Sequence, residues 1–350
     1  MKTAILADLH FSRYGQDRLN PKSRLPERLD SIIRCTLECL NYCVKNKISN
    51  VVFAGDIHHG KSIISTLAQG LIVDLIIERY KNINFTFIDG NHDKASEREG
   101  SLSSLKVFEK YSNVALSING EMIPYSDKRI LLIPYSKDLT EQIRGVKSGE
   151  YDCLISHFGL NEGQLSSGIS IVSDIKLKDL MGKFKLVILG HYHKPQKIEN
   201  KDITVYYVGS PIQLDWGERG ENKRFLILNH DNWEVEEVKT TKYKKYVQFD
   251  LDENTTKTEV IEKARKLQEE GHHVVINKKG KVDTKDLDGE FLVVDKTDKN
   301  ILDRGIHLDM PEEKRLEKFF SLKNVPEDEI KDYVTEAINI ISKCSEKEGI

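Results

Sequence analysis

Short apolar runs recur through the first two-thirds of the chain, each closed by polar residues and separated by longer amphipathic stretches. They are TAILA (3–7), NVVFA (50–54), NFTFI (84–88), RILLI (129–133), DCLIS (152–156), KLVIL (185–189), ITVYYV (203–208) and RFLIL (224–228). Unbroken apolar runs of this length, rich in β-branched residues, predict buried strands. Between them, residues 24–46 and 63–80 repeat apolar positions at the 3.6-residue period of a helix. The alternation predicts an α/β fold. The close spacing of the later runs predicts a mixed sheet, or a second sheet packed on the first.

The texture changes near residue 240, where KTTKYKKYVQFDLDENTTKTEV joins a basic run to a polar turn. Beyond that boundary a strand (KKYVQFDL), a helix (257–270) and strands near 272–277 and 291–295 predict a small α+β module. Residues 311–345 read as helical. Ile330, Tyr333, Val334, Ala337, Ile338 and Ile341 form one stripe at helix spacing, after Pro326 and three acids that suit a helix start. A shorter helix at 312–322 carries Leu316, Phe319 and Phe320. The expected domains are therefore 1–238, 239–305 and 306–350.

Composition narrows the picture without deciding it. The 350 residues are 39% apolar and 31% charged, enough for a real core, and the net charge of −3 excludes a broadly basic nucleic-acid coat but not a local basic groove. No run approaches the ~20 apolar residues of a membrane span, and the first strand pattern begins at once, so a cytoplasmic protein is expected. Three of the five cysteines, Cys35, Cys39 and Cys43, recur every fourth residue in a helical stretch. Positions i and i+8 of a straight helix stand ~12 Å apart, too far for one tetrahedral zinc. They are expected to be reduced and buried.

The chemistry gathers where the strands end. TAILADLH closes on Asp8 and His10, NVVFAGD on Asp56, and NFTFIDGNHD on Asn91 and His92. DCLISH closes on His157, and KLVILGHYH on His191 and His193. In an open α/β sheet, ligands bind beyond the carboxyl ends of strands, so five distant turns deliver two Asp, one Asn and five His to one edge. Seven of the eleven histidines (10, 58, 59, 92, 157, 191 and 193) fall in these turns, more than chance placement explains. Oxygen and imidazole donors without thiolate suit divalent ions such as Mn²⁺, Fe²⁺ or Zn²⁺, and the number is sufficient for two ions sharing one carboxylate.

One stretch permits a rival reading. GDIHHGKS (55–62) fits the phosphate-loop pattern G-x-x-x-x-G-K-[ST] through Gly55, Gly60, Lys61 and Ser62. That loop cradles phosphate with backbone N–H groups, and an Asp at its second position adds repulsive charge. The metal reading accounts for five turns and is preferred, with Lys61 and Ser62 expected to begin the next helix.

The ordered set D-x-H, G-D, G-N-H-D, a strand-end His and G-H-x-H resembles the calcineurin-like metallophosphoesterase superfamily over about residues 1–235. Within it, YYVGSPIQLDWGERGENKRFLIL (206–228) and the appended C-terminal module are most similar to SbcD-type DNA nuclease subunits, of the meiotic-recombination-eleven kind. The resemblance implies a two-sheet sandwich flanked by helices, with a small α+β capping domain and C-terminal helices. It also implies two divalent ions, manganese first, with Mg²⁺, Fe²⁺ or Zn²⁺ as substitutes. Asp8, His10, Asp56 and His193 would hold one ion. Asp56 would bridge to the second, held with Asn91, His157 and His191. His92 matches the family's catalytic histidine, and His59 matches a further position three residues after the bridging Asp, although adjacent His58 leaves open which of the two faces substrate.

The activity implied is metal-dependent hydrolysis of DNA phosphodiesters in end processing, repair and recombination, together with an SMC-like SbcC-type ATPase in a heterotetramer built on a homodimer. The alternative is a phosphodiesterase for nucleotide or lipid-linked small molecules. Candidate DNA contacts are Arg13, Arg18, Lys22, Trp216, Arg219, Lys223 and Arg224, with Lys239, Lys242, Lys244 and Lys245 further on. The 330–341 stripe is the candidate ATPase-docking face, the other reading being that it packs on its own domain.

Overall fold

The computed structural model describes residues 1–96, 101–125, 129–168, 173–287, 289–296, 312–322, 325–327 and 329–338. In chain order the elements begin β1 (Lys2–Leu6), α1 (Glu27–Lys45), β2 (Asn50–Ala54), α2 (Thr66–Ile72), β3 (Asn84–Ile88), β4 (Val114–Ser117), β5 (Ile123–Tyr125) and β6 (Ile130–Ile133). There follow α3 (Leu139–Gly145), β7 (Cys153–His157), α4 (Leu177–Leu180), β8 (Leu186–Gly190), β9 (Gln196–Glu199), β10 (Thr204–Tyr207), β11 (Arg224–Asn229) and β12 (Val235–Lys239). The last are β13 (Tyr246–Leu251), α5 (Lys257–Glu269), β14 (His273–Lys278), β15 (Leu292–Asp295) and α6 (Glu312–Leu322).

Two mixed six-stranded sheets carry the fold, in the orders β12-β11-β1-β2-β3-β4 and β5-β6-β7-β8-β10-β9. β1 to β4 run parallel in the first, and β6, β7, β8 and β10 in the second, with antiparallel strands only towards the edges. Every central strand is apolar on both faces because each face is covered. Ile5, Val52, Ala54 and Ile88 of the first sheet meet Leu132, Ile155 and Ile188 of the second in a core between the sheets. Their neighbours one residue along, Leu6, Val51, Phe53 and Phe87, pack outward with Leu29, Ile32 and Leu40 of α1. Leu154, Val187 and Leu189 pack outward with Ile143 of α3 and Leu180 of α4. The result is the expected α/β sandwich of two sheets between helices.

Local departures from the sequence reading have physical causes. The helix expected over 63–80 starts at Thr66, where the Ser65 hydroxyl accepts from the Ala68 N–H, and passes into a π-helical stretch at Val73–Ile77. Lys61 and Ser62 thus precede the helix instead of opening it. Cys35, Cys39 and Cys43 are buried and unbridged on the inner face of α1, as the helical spacing required.

Two compact units are present. One comprises residues 1–247 with 266–274, and contains both large sheets. The other comprises residues 248–265 and the described residues from Val275 onward. In this second unit the Phe320 ring of α6 lies 5.6 Å from that of Tyr333, on a further helical stretch at 330–338. Val334, part of the expected stripe, is buried. Tyr333 is 45% exposed, and Ile341 lies outside the described residues.

Candidate metal centre

The carboxyl ends of β1, β2, β3, β7 and β8 meet at one edge of the sandwich, and the turns that follow continue the sheet's hydrogen bonding for a few residues. The N–H of Asp8 donates to the Gly55 carbonyl (3.1 Å), that of His10 to Asp56 (2.9 Å) and that of Phe11 to Ile57 (2.7 Å). Sharp redirection there requires uncommon backbone. Asp8, His10, Asp56 and His191 all have positive φ, at 54°, 50°, 54° and 96°, a conformation that costs non-glycine residues energy and concentrates at functional sites. Close approach also requires glycine: a Cβ on Gly90 would fall 2.1 Å from Asp56 Oδ1 and 2.3 Å from the Asp56 backbone nitrogen.

These turns bring the candidate donors together. Each carboxylate is held by an N–H from another turn. Asp8 accepts from the His191 N–H at 2.9 and 3.1 Å, and Asp56 Oδ1 from the His92 N–H at 2.9 Å. His157 Nδ1 donates to the Ala54 carbonyl (2.9 Å), which leaves Nε2 facing Asp56 Oδ1 at 3.3 Å and Asn91 Oδ1 at 3.2 Å. Asn91 Oδ1 is also 3.2 Å from His191 Nδ1. Ligating atoms of Asp8, His10 and His193 lie within 4.8 Å of one another, as do those of Asp8, Asp56 and His157, and those of His10, His59 and His92. Asp8, His10, Asp56 and His157 form a buried floor, while Asn91, His92, His191 and His193 are half-buried around it.

The donor set fits divalent cations on its own geometry. His10 and His193 face each other Nε2 to Nε2 at 3.0 Å, and His10 Nδ1 is buried without a hydrogen-bond partner. Burial lifts Asp8 to about 6 against the pull of His157 and His193. Burial would also raise Asp56, but His157, His10 and His92 together outweigh it and hold that carboxyl well below the usual range. His157 in turn is pushed up to about 9, Asp56 overcoming the effect of burial. Burial and the neighbouring His157 draw His191 down to about 3, and burial draws His10 down as well. Two carboxylates, four imidazoles and an amide converge with no thiolate among them, the hard and borderline donors that Mn²⁺, Fe²⁺ or Zn²⁺ take.

The same geometry separates His58 from His59. His58 is buried, with Nδ1 at 2.8 Å from Ser104 Oγ and its ring stacked against Phe108. His59 is exposed, and its carbonyl oxygen lies 2.6 Å from His92 Nδ1, so that nitrogen carries the proton and His92 Nε2 is left for the open side. The phosphate-loop reading also fails on contacts. The N–H groups of Ile57 and His58, which would have to reach phosphate, donate to the Asp93 carboxylate at 3.2 and 3.0 Å.

Two expected DNA contacts need correction. Lys223 is 1% exposed, its ammonium enclosed by Glu218 and Glu221 at 2.7 and 2.6 Å. Arg224 is 8% exposed, donating to the Gln196 and Tyr207 carbonyls and paired with Glu237. Neither can follow a phosphate track. Arg13, Arg18, Lys22 and Arg219 are exposed, and the half-buried Trp216 ring packs on Tyr246 at 4.9 Å.

Two site residues escaped the sequence reading. Asp93 stood in plain view inside the G-N-H-D motif, while Glu218 is one of three acids in DWGERGE and carries no signal of its own. Its carboxylate, drawn down to about 2 by His193 and Lys223 against the effect of burial, lies 2.8 Å from His193 Nδ1.

Comparison with known families agrees with this arrangement. The profile of the family described as calcineurin-like phosphoesterase matches residues 1–195, more than half of the chain. The chain belongs to that family. This calcineurin-like phosphoesterase is also similar to several solved structures. One is a novel archaeal phosphodiesterase, at 16% identity and a TM-score of 0.35, covering 68% of this chain and 99% of that one. Another is a dimetal phosphatase from Danio rerio, at 10% identity and 0.48, covering 69% and 97%. A third is a putative 5′-nucleotidase from Staphylococcus aureus in complex with alpha-ketoglutarate, at 16% and 0.43, covering 77% and 58%. Likeness at this level adds nothing on substrate. Among the described residues, no helix is long and apolar enough to cross a membrane.

Proposed function

We propose that this calcineurin-like phosphoesterase is a two-metal DNA nuclease, a subunit of SbcD type that acts in a dimer with an SMC-like ATPase. What carries the reading is the layering of the centre: a buried floor of donors, with His92 and His59 standing together on its open rim. Asp8, His10, Asp56 and His193 are assigned to one ion and Asp56, Asn91, His157 and His191 to the second, with manganese the preferred metal. Such ions supply positive charge to the phosphoryl oxygens and acidify the attacking water.

The chain's own groups do the rest. His92, its Nδ1 proton held by the His59 carbonyl, presents Nε2 to the departing oxygen. With a second proton on Nε2, the imidazolium gives that proton to the leaving oxygen and is left as the neutral Nδ1–H ring. Burial and neighbouring His92 lower the pKa of His59, which disfavours its charged form on the rim. Asp93, accepting from the Ile57, His58 and Gly90 N–H groups, ties the turn after β2 to the turn after β3. The preference for DNA over a small diester rests on the likeness of 206–228 to SbcD-type chains and on the exposed Arg13, Arg18, Lys22 and Arg219. Residues 239–305 are assigned to DNA contact, and the exposed side of the C-terminal helices, with Tyr333 and Phe319, to the ATPase.

Purified protein with Mn²⁺ should cut end-labelled single- and double-stranded DNA and also hydrolyse a chromogenic phosphodiester. Turnover of the small diester with intact DNA would favour the small-molecule reading. No turnover of either, with metal bound, would remove the enzymatic one.

A further inference from the structure

We propose that Glu218 and Lys223 are a positioning pair that fixes the tautomer and direction of His193, aiming its Nε2 into the metal centre. The inference rests on the reading of His193 as a metal ligand. Glu218 sits at the end of a short 3₁₀ turn, Trp216–Glu218, and is 2% exposed. One oxygen accepts the Nδ1–H of His193 at 2.8 Å. The other is shared by the Leu214 N–H at 3.0 Å, Ser210 Oγ at 3.2 Å and Lys223 Nζ at 2.7 Å. Lys223 Nζ also donates to the His193 carbonyl at 2.8 Å and lies 3.0 Å from Ser210 Oγ and 2.6 Å from Glu221.

The pair therefore grips one residue twice, by its ring and by its main chain. An ion pair buried this deeply rarely adds stability over apolar residues of the same shape, because desolvating both charges offsets their attraction. Its position accounts for its presence. A neutral imidazole whose Nδ1–H donates a hydrogen bond to a carboxylate keeps its lone pair on Nε2, the arrangement by which outer carboxylates orient and strengthen metal-binding histidines. Here that Nε2 faces His10 at 3.0 Å and belongs to the Asp8–His10–His193 group. Lys223 immediately precedes β11, which pairs with β1, the strand that leads into Asp8 and His10. The pair thus ties His193 to the segment that carries its fellow donors.

Mn²⁺ titration, read from the electron paramagnetic resonance signal of the free ion, tests this. The wild type should take up two ions, and His193→Ala should weaken one of them. The charge-neutral double variant Glu218→Met/Lys223→Met should weaken the same ion by about 10–100-fold and leave the other unchanged. Glu218→Gln, which retains an acceptor for Nδ1–H, should recover most of the loss. Glu221→Gln, which touches Lys223 but not His193, should retain both ions.

Wild-type affinity for both ions in the folded double variant, or an equal loss in Glu221→Gln, would overturn the positioning role. Should the double variant not fold, ¹⁵N imidazole spectra of the zinc-loaded wild type decide: the His193 proton belongs on Nδ1, and finding it on Nε2 overturns the inference. If His193→Ala itself retains both ions at full affinity, the ligand assignment has failed instead.

Discussion

Asp56 faces three turns at once: the His92 N–H and the His157 ring meet one oxygen, and His10 lies 3.6 Å from the other. Asp56→Asn should therefore lose both ions and all turnover, since a neutral amide bridges two cations poorly. Metal analysis of the purified variant checks this, and two retained ions would exclude the bridge. His92→Ala should behave differently, losing about 10²–10⁴-fold in turnover with its metal intact. Loss of an ion would make His92 a ligand. At this scale the donors were legible because strand ends punctuate the apolar pattern so clearly. Lys223 and Glu218 were not, because their roles depend on being buried, which no letter among the charges of DWGERGENK discloses.

Between strand and helix, the turns do most of the positioning, and they do it at close quarters. In Gly90→Ala the new methyl would meet backbone of the Asp56 turn, so the two turns must separate. Metal affinity should fall far more than melting temperature, and parallel calorimetry and Mn²⁺ titration distinguish this from general destabilisation. Asp89, at the end of β3, offers a pH test. Burial pushes its carboxyl up to about 7, with Asp93 adding to the shift and the Ser103 hydroxyl opposing it. The folded chain thus keeps a proton that the unfolded chain releases near pH 4. Stability from this group is present at low pH and lost as pH rises through about 7. Urea unfolding of chelator-treated protein should show Asp89→Asn gaining on the wild type between pH 5 and 8, and a constant difference would refute the shift. The sequence revealed every central strand but missed β4, β5, β9 and β12. All four lie at or next to sheet edges and leave alternate residues partly exposed, so their apolar runs are short or broken.

At the scale of the molecule, every donor of the metal centre lies before residue 200, within the unit that holds both large sheets. Removing residues 326–350 should accordingly leave metal content and diester hydrolysis near wild type while abolishing association with the ATPase. Pull-down of the two purified chains checks this, and unchanged association would make the stripe ordinary packing. The sandwich was legible because alternation of strands and helices leaves few layer arrangements, whereas the C-terminal stripe stayed open between docking and packing because apolar spacing cannot say which surface covers a residue such as the buried Val334. The neighbours of β1 carry one last consequence, for biosynthesis. Residues 3–6 pair with 50–53 on one side, but on the other residues 2–5 pair with 226–229. A ribosome adding about 5–20 residues per second needs on the order of tens of seconds to deliver that second partner after the first strand emerges. Until then Asp8 and His10 hang from a sheet with an open side, so the nascent chain should load its metal late, and β1 is the strand a chaperone would have to guard.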